Sequence, residues 1–246
     1  MKKILVAASL IAASAVSATA ADLAARPYAK APAPMMAALY DWSGFYIGAN
    51  GGWGSSHDSR TDVTRAVFLG GYDATGGVAG GQLGYRWQTG AWVFGLEAQG
   101  DWADIRGRTR SLGAPLNSLS SRMDAFGLFT GQVGYAWNNA LLYVKGGAAV
   151  TDRRYDFISN VTGLIISSSG YATRWGGTVG AGLEYGFAPN WSAAIEYDHI
   201  FENVHTVAFV SPAGVARPAT FRSGGDTDLV TVRLNYRFGG PIVARY

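Results

Sequence analysis

The sequence of 246 residues contains no cysteine. That absence excludes a disulfide scaffold, a thiol nucleophile, a CxxC redox pair, Cys-ligated zinc and an iron–sulfur cluster. Charge is scarce too, at 15% of residues, and its sign is almost balanced. Setting aside Lys2 and Lys3, which sit in an N-terminal export segment, reduces the 20 basic residues to 18 against 17 acidic ones. No nucleic-acid partner is expected from such a balance. Histidine occurs three times, as His57, His199 and His205, and no HExxH-type metal spacing is present. Beyond the first twenty residues no apolar run approaches the ~18 to 20 residues of a membrane-spanning helix.

Glycine and aromatic residues are abundant instead. The chain holds 34 Gly, 8 Trp, 13 Tyr and 11 Phe, and 48% of its residues are hydrophobic, which excludes a disordered chain. Met1-Lys2-Lys3, the apolar run Ile4 to Ala15 and the small residues Ala18-Thr19-Ala20 form a secretory signal peptide over residues 1–20. Residues 21–41 follow as an Ala/Pro-rich leader, in which Pro27, Pro32 and Pro34 oppose helix and central strand. Residues 42–246 carry the folded body, exported and without a helical anchor.

That body repeats one pattern, in which an apolar residue alternates with a small or polar one, the period of a strand with two unlike faces. Phe45, Ile47, Ala49, Gly51 and Trp53 share one face against Tyr46, Gly48, Asn50 and Gly52. Trp175, Val179, Ala181, Leu183, Tyr185 and Phe187 oppose Arg174, Thr178 and Glu184 in the same way. Eight such strands are predicted. Short turns lie at Gln88–Ala91, Asn138–Ala140 and Ala188–Asn190, while roughly Ser55–Thr75, Ile105–Ser121, Asp152–Tyr171 and Glu202–Asp226 read as long polar loops. Alternation of short turns with long loops predicts an all-β fold, an eight-stranded antiparallel up-and-down transmembrane β-barrel. Val207–Val210 and Leu164–Ile166 read as strand extensions above the membrane.

Parity does not say which face is inside, because a soluble barrel packs its apolar face inward and a membrane barrel shows it to lipid. Tryptophan placement does discriminate, since the indole ring prefers the lipid–water boundary. All eight tryptophans lie at or beside strand ends. Trp87, Trp92, Trp137, Phe187 and Trp191 flank the short turns and form a periplasmic girdle; Trp53, Trp102 and Trp175 adjoin the long loops and form an outer one.

On the opposite face lie Arg86, Glu97, Asp101, Arg122, Asp124, Lys145, Arg174, Glu184, Glu196, Arg233 and Arg237. These charges either pair across the lumen and fill it, or line a narrow diffusion pore for small solutes or ions. A barrel of eight strands is just wide enough for side chains to fill, which favours the filled lumen. Arg106, Arg108 and Arg110 alternate just beyond Trp102, where they are candidates for phosphates of outer-leaflet lipid, against the plain alternative of a solvated basic loop. No catalytic constellation, metal site or cofactor is expected: His57 and His205 fall in different loops and His199 has lipid-face parity. The Gly-rich stretches GANGGWG and GGVAGGQLG do not open a helix and are read as strand glycines rather than phosphate loops.

The runs GFYIGANGGWG (44–54), GQVGYAW (131–137) and LLYVKGGAA (141–149), with the ending VRLNYRF, resemble the small OmpA-like, opacity-type outer-membrane β-barrel family, from about Trp42 to Tyr246. The resemblance implies a non-enzymatic protein of the bacterial outer membrane that supports envelope integrity and meets a host or environmental ligand through its loops. Outer-membrane lipid, lipopolysaccharide and the barrel-assembly machinery are its implied partners. In that family a terminal aromatic serves as the assembly signal, a part open here to Phe238 or Tyr246. The peptidoglycan-binding domain of larger relatives has no counterpart in Gly239–Tyr246.

Overall fold

A half-buried pleat needs two unlike faces, and each alternating stretch supplies them. The strands are β1 (Gly44–Asp62), β2 (Val67–Thr89), β3 (Trp92–Arg110), β4 (Asn117–Trp137), β5 (Ala140–Ser159), β6 (Ile165–Ala188), β7 (Trp191–Glu202), β8 (His205–Val210), β9 (Ala216–Gly224) and β10 (Thr227–Phe238). They are seen in a computed structural model that describes residues 40–62, 67–112, 115–202, 205–210 and 216–239. The predicted signal peptide, nearly all of the leader and Tyr246 lie outside the described residues.

Strands β1 to β7 pair antiparallel in chain order, and β10 closes the ring by pairing with both β7 and β1. The wall therefore has the eight expected strands. Following the register once around the wall leads from Phe45 through Tyr85, Leu96, Gly131, Gly146, Val179, His199 and Asp228 to Ser55. Phe45 to Ser55 is a displacement of ten residues along β1. With ~3.3 Å per residue and ~4.8 Å between strands, that stagger tilts the strands by about 40° and sets a backbone diameter of about 16 Å.

The three short turns are two-residue connections at Gly90-Ala91, Asn138-Asn139 and Pro189-Asn190. Gly90 (φ 61°) and Asn138 (φ 53°) take the left-handed conformation that such turns demand. At the other end the long loops are mostly absent, which corrects the sequence reading. Strands β1 and β2 stay paired out to Asp62↔Val67, β3 and β4 to Arg110↔Ser118, and β5 and β6 to Ile158↔Ile165. The fourth connection contains the hairpin β8–β9, whose β9 pairs with β1 at Ser59–Asp62. Beyond the membrane the outer face meets water and is polar, so the alternation of apolar with polar residues fades from the sequence. The inner face stays buried, as at Leu119 and Tyr155, and the backbone ladder still satisfies N–H and C=O groups.

The apolar face points outward. Phe45, Leu83, Leu96, Phe129, Val144, Ile195 and Val232 are all at least half exposed, whereas Glu97, Lys145, Glu184, Glu196 and Arg233 are buried inside the wall. On β3 this pattern runs from Trp92 to Trp102, ten residue steps that rise about 25 Å at a 40° tilt, the height of the apolar band of an outer-membrane barrel.

One irregularity changes which side chains face in. Against β5, the register of β4 shifts between Met123 and Ala125, leaving Asp124 as a bulged residue. Past a bulge the outward half of the strand reverses its faces. Met123 is consequently buried in the lumen and Arg122 exposed on the exterior, the reverse of the sequence expectation, and Asp124 is only partly buried, ion-paired to Arg122.

Candidate functional site

The lumen is filled in layers. At the end closed by the short turns, the segment before β1 turns into the barrel mouth and places Tyr40 and Trp42 inside it, with rings 4.5 Å apart. Trp42 is therefore a lumen residue with 1% exposure, although the sequence places it at a strand end with the other tryptophans. It packs with Tyr40, Val93, Ala136, Leu141 and Tyr143. Arg237 holds this cap by donating to the carbonyls of Ser43 and Pro189, both at 3.1 Å, and lies over the Tyr40 ring. Asp41 forms a longer ion pair with Arg237, at 3.8 Å.

The next layer is ionic. Arg86 on β2 reaches across to Glu184 on β6 at 2.8 Å, four strands away around an eight-stranded wall and hence on the far side. Glu184 also accepts from Ser192 at 2.5 Å and from Asn235 at 2.9 Å. The Arg86 guanidinium is sandwiched among the rings of Tyr46, Tyr143 and Trp42 at 4.4, 5.7 and 5.8 Å, so apolar faces replace the water it gives up. Above it Arg233 bridges Glu97 and Glu196, carboxylates on opposite walls. Lys145 faces Glu196 at 2.7 Å, Asp198 at 3.2 Å and Glu97 at 3.4 Å. Two phenols complete the set, Tyr46 donating to Glu97 at 2.6 Å and Tyr143 to Glu196 at 2.5 Å.

Two lumenal glycines make room for those phenols. Gly84 lies opposite Tyr46 and Gly182 opposite Tyr143 in the register, and a Cβ on either would stand 2.5 Å from the ring or its hydroxyl. Alongside runs an amide ladder in which Asn50 donates to Gln82 at 2.9 Å and Gln82 to Asn235 at 2.7 Å. Gln99 donates to Asp101 at 2.8 Å, and Asp101 is buried.

Farther out the lumen turns apolar. Ala74, Val78, Ala103, Ile105, Met123, Phe126, Leu128, Ala149, Ile200 and Leu229 form one buried cluster, to which the bulge at Asp124 contributes Met123. Among and above them Arg153 on β5 pairs with Glu202 at 2.8 Å and donates to Ser56 on the opposite wall at 3.1 Å. Arg174 donates to the Tyr155 hydroxyl at 3.3 Å and lies over its ring.

Of the lumenal charges named from the sequence, Arg86, Glu97, Lys145, Glu184, Glu196 and Arg233 come together in the middle layers. Arg237 belongs to the mouth, Arg174 and Asp101 stand apart, and Arg122 and Asp124 are not in the lumen network. Asp198, Tyr46 and Tyr143 are members that sequence reasoning passed over, although each has lumen parity. Arg153 and Glu202 were hidden by the assumption that their strands had ended.

The exterior carries the aromatic bands. Trp53, Trp87, Trp92, Trp102, Trp137, Trp175, Phe187 and Trp191 are all exposed on the outer face. Around the short-turn end the rings meet edge to face: Trp92 with Tyr135 at 5.6 Å, Trp191 with Tyr236 at 5.0 Å and Tyr236 with Phe238 at 5.2 Å. Phe238 thus sits in the girdle at the end of β10.

Two histidine–carboxylate pairs lie on the exterior, the His57 pair beyond the outer girdle and the His199 pair level with it. His57 Nδ1 is 2.6 Å from Asp73, and His199 Nδ1 is 2.7 Å from Asp228, which also accepts from the Tyr197 hydroxyl at 2.6 Å. In the register the order is His199, Asp228, Ser55, so the carboxylate separates the imidazole from the nearest hydroxyl in that row by two strand spacings, about 10 Å. A nucleophile within hydrogen-bond reach of its base is missing from that row. No cluster of three or more His, Asp or Glu suited to a metal ion occurs among the described residues.

Several known proteins are similar to this chain. The chain is 28% identical over 251 residues to the 31 kDa outer-membrane immunogenic protein of Brucella melitensis biotype 1, spanning 97% of this chain and 100% of that one. It is 32% identical over 158 residues to the 22 kDa outer membrane protein of Rhizobium leguminosarum bv. viciae, covering 63% of this chain and 62% of that protein. Among solved structures, outer membrane protein OprG of Pseudomonas aeruginosa is similar with a TM-score of 0.48 and 13% identity, over 80% of this chain and 98% of that one. The sequence profile of the outer membrane protein beta-barrel domain matches residues 5–238, nearly the whole chain, and the protein belongs to that family of the bacterial outer membrane.

Proposed function

We propose that this protein is a non-enzymatic, closed barrel that supports the envelope and presents its extended strand ends at the cell surface. The observation that carries the reading is the bracing of opposite walls by buried ion pairs, Arg86 to Glu184 and Arg233 to both Glu97 and Glu196. A conducting lumen needs a continuous water column, and here side chains from all eight wall strands occupy the cross-section. The short turns face the periplasm and the paired extensions beyond Trp53, Trp102 and Trp175 face outward, the asymmetry of outer-membrane barrels. Those extensions and the β8–β9 hairpin form the surface available to a host or environmental ligand.

Planar-bilayer recording of the refolded mature chain tests the reading, with a barrel of known pore size as reference. Folded protein that gives no steady steps is the expected result. Voltage-stable steps from folded protein would show an open lumen and make the protein a narrow diffusion pore instead.

A further inference from the structure

The arginines beyond the outer girdle form a pattern visible only in the sheet register. Arg106 on β3 lies directly opposite Arg122 on β4, and Arg122 directly opposite Arg154 on β5. All three project from the outer wall: Arg106 and Arg122 have side chains 56% and 46% exposed, and Arg154 is partly exposed at 32%. Directly opposed like charges across a strand pair, ~5 Å apart, destabilise a sheet unless something anionic lies between them. Nothing in the fold of a barrel requires three arginines in one row.

Each guanidinium is held through its Nε. Arg106 Nε meets Asp104 at 2.5 Å, Arg122 Nε meets Asp124, and Arg154 Nε meets Asp156 at 3.2 Å, each carboxylate two residues away on the same strand. Engagement at Nε fixes the plane of the group and leaves the terminal nitrogens of Arg106 and Arg122 for a second acceptor. Asp152 lies on the same face as Arg154, two residues nearer the girdle. Above the row Arg108 and Arg110 continue along β3 without a carboxylate partner among the described residues, although Arg108 donates weakly to Asn160 at 3.4 Å.

Height identifies the acceptor. Arg106 stands four residues beyond Trp102 on β3, about 10 Å above the boundary that the indole marks. At that level the outer leaflet presents the phosphorylated sugar headgroups of its lipid. We infer that Arg106, Arg122 and Arg154, flanked by Arg108, form a lateral binding site for a phosphorylated headgroup of outer-leaflet lipid, the β3–β5 wall facing the lipid. Tetrahedral phosphate oxygens take paired N–H donors from guanidinium groups, and a row of three bridges two phosphates of one disaccharide headgroup. The far side of the barrel carries Asp226 and Asp228 with His199, while the His57–Asp73 pair lies on β1 and β2 beside the site, so the arginine row belongs to the β3–β5 wall alone. This site rests on the outward orientation proposed above.

Binding of fluorescent bis-phosphorylated lipid A to the full mature chain in mixed micelles tests it. Arg106→Gln/Arg122→Gln/Arg154→Gln should weaken binding by at least tenfold, while lysine at the same three positions retains an intermediate affinity because the charge survives and the forked geometry does not. Dephosphorylated lipid A should bind wild type no better than it binds the glutamine variant. Equal affinity of wild type and glutamine variant, with folding confirmed by the gel shift on heating, would overturn the site. Inorganic phosphate that competes as well as lipid A at equal phosphate concentration would overturn the lipid as its occupant. Orientation is read separately from Val161→Cys, a unique thiol in the β5–β6 turn: labelling in intact cells is expected, and labelling only after rupture would overturn the outward placement whatever the micelle result.

Discussion

At the scale of single residues the lumen is held by groups that would be costly alone and are tolerable together. Lys145 is fully buried and faces Glu97, Glu196 and Asp198, while Arg233 bridges two of the same carboxylates. Truncating one partner of such a network strands the others away from water, at about 3–5 kcal/mol, more than the net worth of any one pair. Lys145→Ala is therefore expected to lower the unfolding free energy by about that amount. Glu184→Ala should act similarly, because it leaves Arg86, Ser192 and Asn235 without their common acceptor. Urea titration in detergent, read by tryptophan emission, measures both. Unchanged midpoints in both variants would remove the ion pairs from any account of the barrel's stability.

At the scale of elements, the sequence spoke clearly where one face of a strand met lipid and indistinctly elsewhere. From Trp92 to Trp102, and again along β7 and β10, strict alternation announced both the strand and its two faces. In β4 it did not, because Phe126 and Leu128 look like faults in the polar face of a membrane strand. They are lumen residues of the apolar cluster, and the bulge beside them sets the inward–outward order of everything beyond. A bulge adds one residue without a signature of its own, so Arg122 and Met123 could be placed only by the register. The hairpin β8–β9 falls within the stretch that reads as the fourth long loop, and its pairing with β1 is visible only in the register. Deleting Asp124 provides the test of the bulge. Without it Arg122 would turn into the space now lined by Ile105 and Leu128, an unpaired charge in an apolar cluster, while Met123 would turn out. The deletion should cost several times more stability than Asp124→Ala, which removes the Arg122 ion pair and keeps the register. Equal effects of the two, measured by the same titration, would mean that the bulge does not set the facing of β4.

At the scale of the whole molecule, a stagger of ten residues in eight strands fixes a cylinder about 16 Å across between backbones, which a layer of long side chains can close. Three kinds of layer do so in series: the aromatic cap of Tyr40 and Trp42, the ionic layer around Lys145 and Arg233, and the apolar cluster around Leu128 and Ile200. Water and ions must pass every one of them, so resistance is set by the tightest layer that remains. Opening a single layer should leave the barrel silent: Trp42→Ala, Lys145→Ala and Leu128→Ala, each tested alone in planar bilayers, are expected to give no steady conductance. Stability and conductance then separate, since Trp42→Ala should lose about 3–5 kcal/mol from the removed ring while its lumen stays shut. Steady current from Lys145→Ala alone would mean that the ionic layer is the only seal and that the apolar cluster opens readily. Current from Trp42→Ala alone would instead make the cap before β1 the gate, and the two layers beyond it permeable.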